Sequence, residues 1–194
     1  TNAGERLVAT ASYNFMQHVW TSTDGTAWTP LDNIWDLREN GVSVFGLAAD
    51  DEQVLLTTSE PSIIYHEPEG EYQVSSISQN LLPFPIDIPF VNDITATDDG
   101  WVTVGGASTR SAAGGVTEKA LSWTSPDGLS WSVDGRFPQA SLGPMHSVTG
   151  TSDRLVAAGT ETVSSAVSRS ALGRGLLWES SATGWSELEA SALE

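Results

Sequence analysis

The chain has 194 residues, with 8 Lys and Arg against 25 Asp and Glu and a formal net charge of -17. A field of that sign repels phosphate backbones and anionic lipid surfaces, which excludes a nucleic-acid binder. The absence of cysteine rules out a disulfide framework and a thiolate metal site, and no apolar run approaches the ~20 residues of a membrane span, so no membrane insertion is expected.

In chain order, the first strand-like unit is ERLVATA from Glu5, and WTSTDGTAW from Trp20 to Trp28 follows as a hairpin. The same two units recur as EQVLLTT from Glu52 with YHEPEGEY (Tyr65 to Tyr72), and as GWVTVGG from Gly100 with WTSPDGLSW (Trp123 to Trp131). The last pair is DRLVAAG from Asp153 with WESSATGW (Trp178 to Trp185). The centres Val8, Leu55, Val102 and Val156 are 47, 47 and 54 residues apart. A third unit precedes three of them: FGLAADD, NDITATDD and HSVTGTSD, centred on Leu47, Ile94 and Val148.

One period therefore holds four short β-type segments separated by turn residues, which predicts an all-β chain built as a β-propeller of four-stranded antiparallel blades. A helical solenoid would need apolar positions at i, i+3 and i+4, which these segments lack. The expected blades occupy about 1–36, 42–79, 90–135 and 144–190 of a single propeller segment over 1–194. Blade one begins at its second strand, so its inner strand is missing. Three explanations stay open: a longer propeller, a homodimer in which two copies complete a ring, or an unclosed four-blade ring. The last leaves sheet edges exposed, so the first two are preferred.

In Ser125-Pro126-Asp127-Gly128 the proline suits a type I turn and the glycine the left-handed region. A three-residue loop there predicts Trp123 facing Trp131 across the hairpin, with Trp20 facing Trp28, Trp178 facing Trp185 and Tyr65 facing Tyr72. Each such pair would contribute on the order of 1 kcal/mol beyond burial.

The segments carrying Ser22, Asp24, Gly25, Trp28 and Ser125, Asp127, Gly128, Trp131 resemble the Asp-box hairpins of BNR-repeat propellers, a group that includes sialidases and sortilin-like receptors. The usual box is one residue longer between Asp and Trp. The resemblance implies a fold and leaves function open. The turn carboxylates invite a metal reading, but an Asp in this position caps the N–H groups of its own loop, so no metal or other cofactor is expected. The acids Asp50-Asp51-Glu52 and Asp98-Asp99 fall in the turns between first and second strands.

Strand direction alternates within a blade, so the boxes sit on one face and the long loops on the other. Those loops are 31–42, 78–90, 108–118, 136–144 and 160–175, and five of the seven arginines fall in them. Loops of this kind carry recognition on a rigid scaffold. The candidate ligand-binding residues are Trp35, Arg38, Phe84, Arg110, Arg169 and Arg174, a set suited to a protein or a glycan.

For an active sialidase the resemblance implies an arginine triad, a tyrosine nucleophile backed by glutamate and an acidic aspartate. The Arg-Ile-Pro signature is absent, Tyr65 and Tyr72 lie beside a hairpin on the opposite face, and only Tyr13 is placed to serve. His18, His66 and His146 occupy three different repeat positions, His146 at the start of an inner strand. No Gly-x-Ser-x-Gly pattern occurs, and Gly105-Gly106 and Gly114-Gly115 open no helix that could hold phosphate. The expectation is a non-catalytic, secreted or cell-surface interaction module, with a glycan-processing or glycan-binding propeller as the alternative.

Overall fold

The structure, a computed structural model, describes residues 6–13, 16–31, 43–50, 52–59, 63–68, 73–77, 88–110, 116–134, 143–164, 171–181 and 184–188. These residues hold fifteen strands and no helix. The first sheet has three strands, β1 (Leu7–Tyr13), β2 (Met16–Ser22) and β3 (Thr29–Pro30). The second runs β4 (Val44–Ala49), β5 (Gln53–Thr58), β6 (Ile63–Pro68), β7 (Gln73–Ser76). The third runs β8 (Ile88–Thr97), β9 (Gly100–Arg110), β10 (Val116–Ser125), β11 (Ser132–Val133). The fourth runs β12 (Met145–Gly150), β13 (Leu155–Ser164), β14 (Ala171–Ser181), β15 (Gly184–Glu187).

Every neighbouring pair is antiparallel and every sheet follows chain order. Four successive meanders of this form are the blades of a β-propeller, and among the described residues the first holds three strands. The 47- and 54-residue steps are thus the lengths of whole blades.

The core lies between the blades. Val8, Val19 and Leu31 meet Val44, Val54 and Leu56 where blade one faces blade two. Leu55 and Ile77 meet Val91, Trp101, Leu121, Trp123 and Trp131 where blade two faces blade three. Val102, Val104 and Ala120 meet Met145, Leu155, Leu176, Trp178 and Trp185 at the next boundary. A second strand covered on both faces should read as an unbroken apolar or small-residue run. Val54 to Thr58 and Trp101 to Ala107 are such runs, buried throughout.

The sheet register fixes which residues correspond. Leu7 stands opposite Ser22, Val54 opposite Glu67, Trp101 opposite Ser125 and Leu155 opposite Ser180. These four positions are one and the same place in successive blades.

Inner strands carry a further repeated feature. In each complete blade the register shifts by one residue near the strand's start, between Val44 and Gly46, Val91 and Asp93, and Met145 and Ser147. The extra residues are Phe45, Asn92 and His146. Just after the first bulge, a Cβ on Gly46 would lie 2.5 Å from the Asp93 Cα, so only glycine lets β4 approach β8 this closely.

Candidate functional site

Both Ser-x-Asp-Gly turns close on themselves. Asp127 Oδ1 accepts the N–H groups of Leu129 at 2.9 Å and Ser130 at 2.7 Å, and the Ser125 hydroxyl donates to it at 2.9 Å. Asp24 Oδ1 accepts from Thr26 and Ala27 at 2.8 Å each, with Ser22 Oγ donating at 3.1 Å. The Ala27 and Thr26 N–H bonds, in that order, lower the Asp24 pKa from 3.8 to about 2. Those of Ser130 and then Leu129 lower that of Asp127 further still. These carboxylates are held ionised by their own loops, as the capping reading anticipates. Gly25 and Gly128 have φ of 73° and 74°, the left-handed conformation that such a turn requires.

The expected tryptophan pairs do not form. Trp123 pairs with Val133, Trp20 with Pro30, Trp178 with Glu187 and Tyr65 with Val74. Because the aspartate gathers N–H groups two and three residues ahead, the loop between Ser125 and Ser132 spans six residues rather than three. Trp131 falls outside the ladder, and its indole N–H donates to the Gly128 carbonyl at 3.1 Å. The ring packs on the preceding blade, in the cluster with Leu55 and Ile77. Trp185 does likewise, donating to Asp134 Oδ2 of blade three at 3.1 Å. Tyr72 lies outside the described residues.

On the long-loop side, the bulges bring together a polar group that spans two blades. Asp93 Oδ1 accepts from the Ile94 N–H at 2.9 Å, while Oδ2 accepts from Ser147 Oγ at 3.0 Å and the Val148 N–H at 2.9 Å. Asn92 Nδ2 donates to the Met145 carbonyl at 2.6 Å and faces His146 Nδ1 at 3.5 Å. His146 Nε2 and Thr160 Oγ1 are hydrogen-bonded at 2.9 Å. The serine is bonded to the aspartate and not to the histidine, so Ser147, His146 and Asp93 are no catalytic relay. Their chemistry is that of a clamp between β8 and β12. The sequence signal for it was the common spacing of Phe45, Asn92 and His146, which matches the blade steps. A bulge is a property of pairing rather than of composition, so that spacing alone does not announce one.

Of the candidate ligand-binding residues, Trp35, Arg38, Phe84 and Arg169 lie outside the described residues. Arg110 ends β9 at the long-loop side. Arg174, exposed on β14, pairs with Glu161 at 3.2 Å and Glu187 at 3.0 Å, so two carboxylates already occupy its guanidinium. The middle hairpin that carries it is long. β12 pairs with β13 only as far as Gly159, yet β13 and β14 continue together from Thr160 and Gly175 to Ser164 and Ala171. The Thr160 N–H still donates to the Pro144 carbonyl just ahead of β12 at 3.3 Å, and the hairpin runs on from there to Ser164 and Ala171. The blade-three hairpin extends past its inner strand through Thr109 and Arg110, and exposed Val116 opens the returning strand. In blade two the second strand stops level with the first, Thr58 opposite Val44.

Along the inner strands an open cleft of about 870 Å³ is lined by Leu47 to Asp50, Asp93 to Asp98, Val148 to Thr151, and Arg6 and Leu7. No cluster of three or more His, Asp or Glu side chains suited to a metal occurs among the described residues.

No protein-family model matches the chain, and no curated protein matches it. Among solved structures it is similar to a Trypanosoma rangeli sialidase in complex with the inhibitor DANA, at 16% identity and a TM-score of 0.48. That alignment covers 93% of this chain and 35% of the sialidase, so this chain spans about a third of that protein's length. The propeller assignment stands on the four sheets themselves.

Proposed function

We propose that this chain is a non-catalytic, extracytoplasmic interaction module that holds a protein or glycan partner on its long-loop face. The observation that carries the reading is the pair of middle hairpins in blades three and four, which extend past their inner strands on that face. Projecting loops on a rigid β scaffold are the usual carriers of recognition. Supporting it, the turn aspartates and the His146 group are committed to holding the fold.

The test combines a glycan array with chemical crosslinking to candidate protein partners, using the whole chain. Arg110→Ala with Val116→Ser should weaken capture at least tenfold while leaving the melting temperature unchanged. Capture that is untouched by these changes would move the site off this face. Turnover of a fluorogenic sialoside would sink the non-catalytic reading in favour of a glycan-processing propeller.

A further inference from the structure

Glycine directly follows the aspartates Asp24, Asp99, Asp127 and Asp134. At such a step the aspartyl carboxyl is open to attack by the next amide nitrogen, because glycine has no Cβ to shield it. The four steps look alike in the sequence and differ in their surroundings. Asp134 is buried, and its Oδ2 takes the Trp185 indole N–H. Asp24 and Asp127 are exposed but tied down. Asp24 Oδ1 accepts two loop N–H groups, and the Gly25 N–H is itself given to Ser22 Oγ at 2.9 Å. Both Asp127 oxygens are engaged, Oδ1 by the Leu129 and Ser130 N–H groups and Oδ2 by Ser130 Oγ at 2.9 Å. Asp99 is exposed as well, yet its side chain has no hydrogen bond or ion pair among the described residues. With Asp98 it forms the loop between β8 and β9, where Thr97 stands opposite Gly100 as the last rung of the ladder. A last rung opens more readily than one in the middle of a strand.

We propose that Asp99 is a modification site, at which the carboxyl closes on Gly100 as a succinimide and reopens as isoaspartate. The Gly100 amide nitrogen bonds to Asp99 Cγ, and the side-chain hydroxyl leaves as water with the proton from that nitrogen. Water then adds to one of the two ring carbonyls. Opening at one restores aspartate, and opening at the other leaves the main chain running through Cβ and Cγ. The water lost equals the water regained, so the change is an isomerisation that needs no co-reactant. The attack is on the neutral acid, and the loop N–H groups that hold Asp24 and Asp127 ionised are a further reason those two resist it. Isoaspartate lengthens the main chain by one carbon just ahead of a crowded position. A Cβ on Gly100 would lie 2.4 Å from the Ser125 carbonyl oxygen and 2.8 Å from the Pro126 Cα. The product therefore pushes the β8–β9 turn off the neighbouring Ser125–Gly128 turn of the same blade, and the age of the chain is written into blade three.

The test keeps the full chain for weeks in mildly acidic buffer, then maps it by proteolysis and fragmentation that distinguishes isoaspartate. At least tenfold more isoaspartate is expected at Asp99 than at Asp24, Asp127 or Asp134. In urea, where the turns are gone, the four sites should convert at similar rates. A faster arm uses Asp99→Asn and Asp127→Asn, whose succinimides form with loss of ammonia and are followed by intact mass as amide becomes acid. Asp99→Asn should convert at least tenfold faster than Asp127→Asn, with the melting temperature of each confirming that it folds. Asp99→Glu, whose longer side chain would have to close a six-membered ring, should leave the β8–β9 turn unmodified. The proposal is overturned by equal conversion at the folded sites, by more at Asp24 or Asp127 than at Asp99, or by Asp99→Asn converting no faster than Asp127→Asn. The same ranking in urea as in buffer would overturn it equally, because the rates would then come from the sequence and not from the turns.

Discussion

The two Ser-x-Asp-Gly turns have nearly the same sequence and nearly the same hydrogen bonds, yet their tryptophans meet different fates. Trp131 is 8% exposed and packed on blade two, whereas Trp28 is 42% exposed. Turn geometry is written locally: Ser, Asp and Gly close the loop whatever lies beside it. Burial of the tryptophan is written by the neighbouring blade. The comparison separates what a repeat specifies by itself from what it needs a neighbour to complete.

Truncation tests that separation most severely. Trp131→Ala removes a buried ring from the boundary of blades two and three and should cost about 3–5 kcal/mol in urea unfolding. Trp28→Ala should cost about 1 kcal/mol or less. Equal losses would mean that the tryptophan stabilises the turn itself and that the neighbouring blade is incidental.

The same division explains how much was legible in the sequence. The all-β class and the four-stranded antiparallel sheets depend on short-range patterns that recur along the chain, and they read directly; the N–H groups gathered by Asp24 and Asp127 are likewise a matter of neighbouring residues. The cross-hairpin tryptophan pairs require a three-residue loop, whereas the aspartate's reach to Leu129 and Ser130 widens it. The tie from Asp93 to Ser147 and Val148 joins residues 54 and 55 positions apart, and nothing in composition announces it.

That tie yields the next largest effect. Asp93→Ala removes an acceptor shared by Ser147 Oγ and the Val148 N–H, and bonds to an ionised group contribute roughly 1.5–3 kcal/mol each before solvent screening. A net loss of about 2 kcal/mol is expected, since the carboxylate is only partly buried. Asp93→Asn, which still accepts a hydrogen bond, should lose less. If both variants unfold alongside the parent chain, blades three and four are held by their apolar boundary alone.

Within the turns a smaller effect is expected. Asp127→Ala releases the N–H groups of Leu129 and Ser130 to solvent, for a loss of about 1 kcal/mol. Because the turn is local, Asp24→Ala should lower the melting temperature in the same direction although its tryptophan is exposed. A drop confined to Asp127→Ala would show that the turn matters only where a blade is docked on it.

Acid gives the finest resolution of the comparison. The Asp24 pKa lies at about 2 in the folded chain, against 3.8 for a free side chain, and that of Asp127 is lower still. The unfolded chain therefore takes up protons first as pH falls, so the turns' contribution is complete above about 3.8. It is lost progressively as pH drops toward 2. The melting temperature of the parent chain should fall over that window more steeply than that of the Asp24→Asn, Asp127→Asn variant, whose amides still accept the loop N–H groups but do not ionise. Since the cause is the loop's own backbone in both turns, each single variant should remove part of the excess slope, whether its tryptophan is buried or exposed. An excess slope traced wholly to Asp127 would instead tie the acid response to the packed blade boundary.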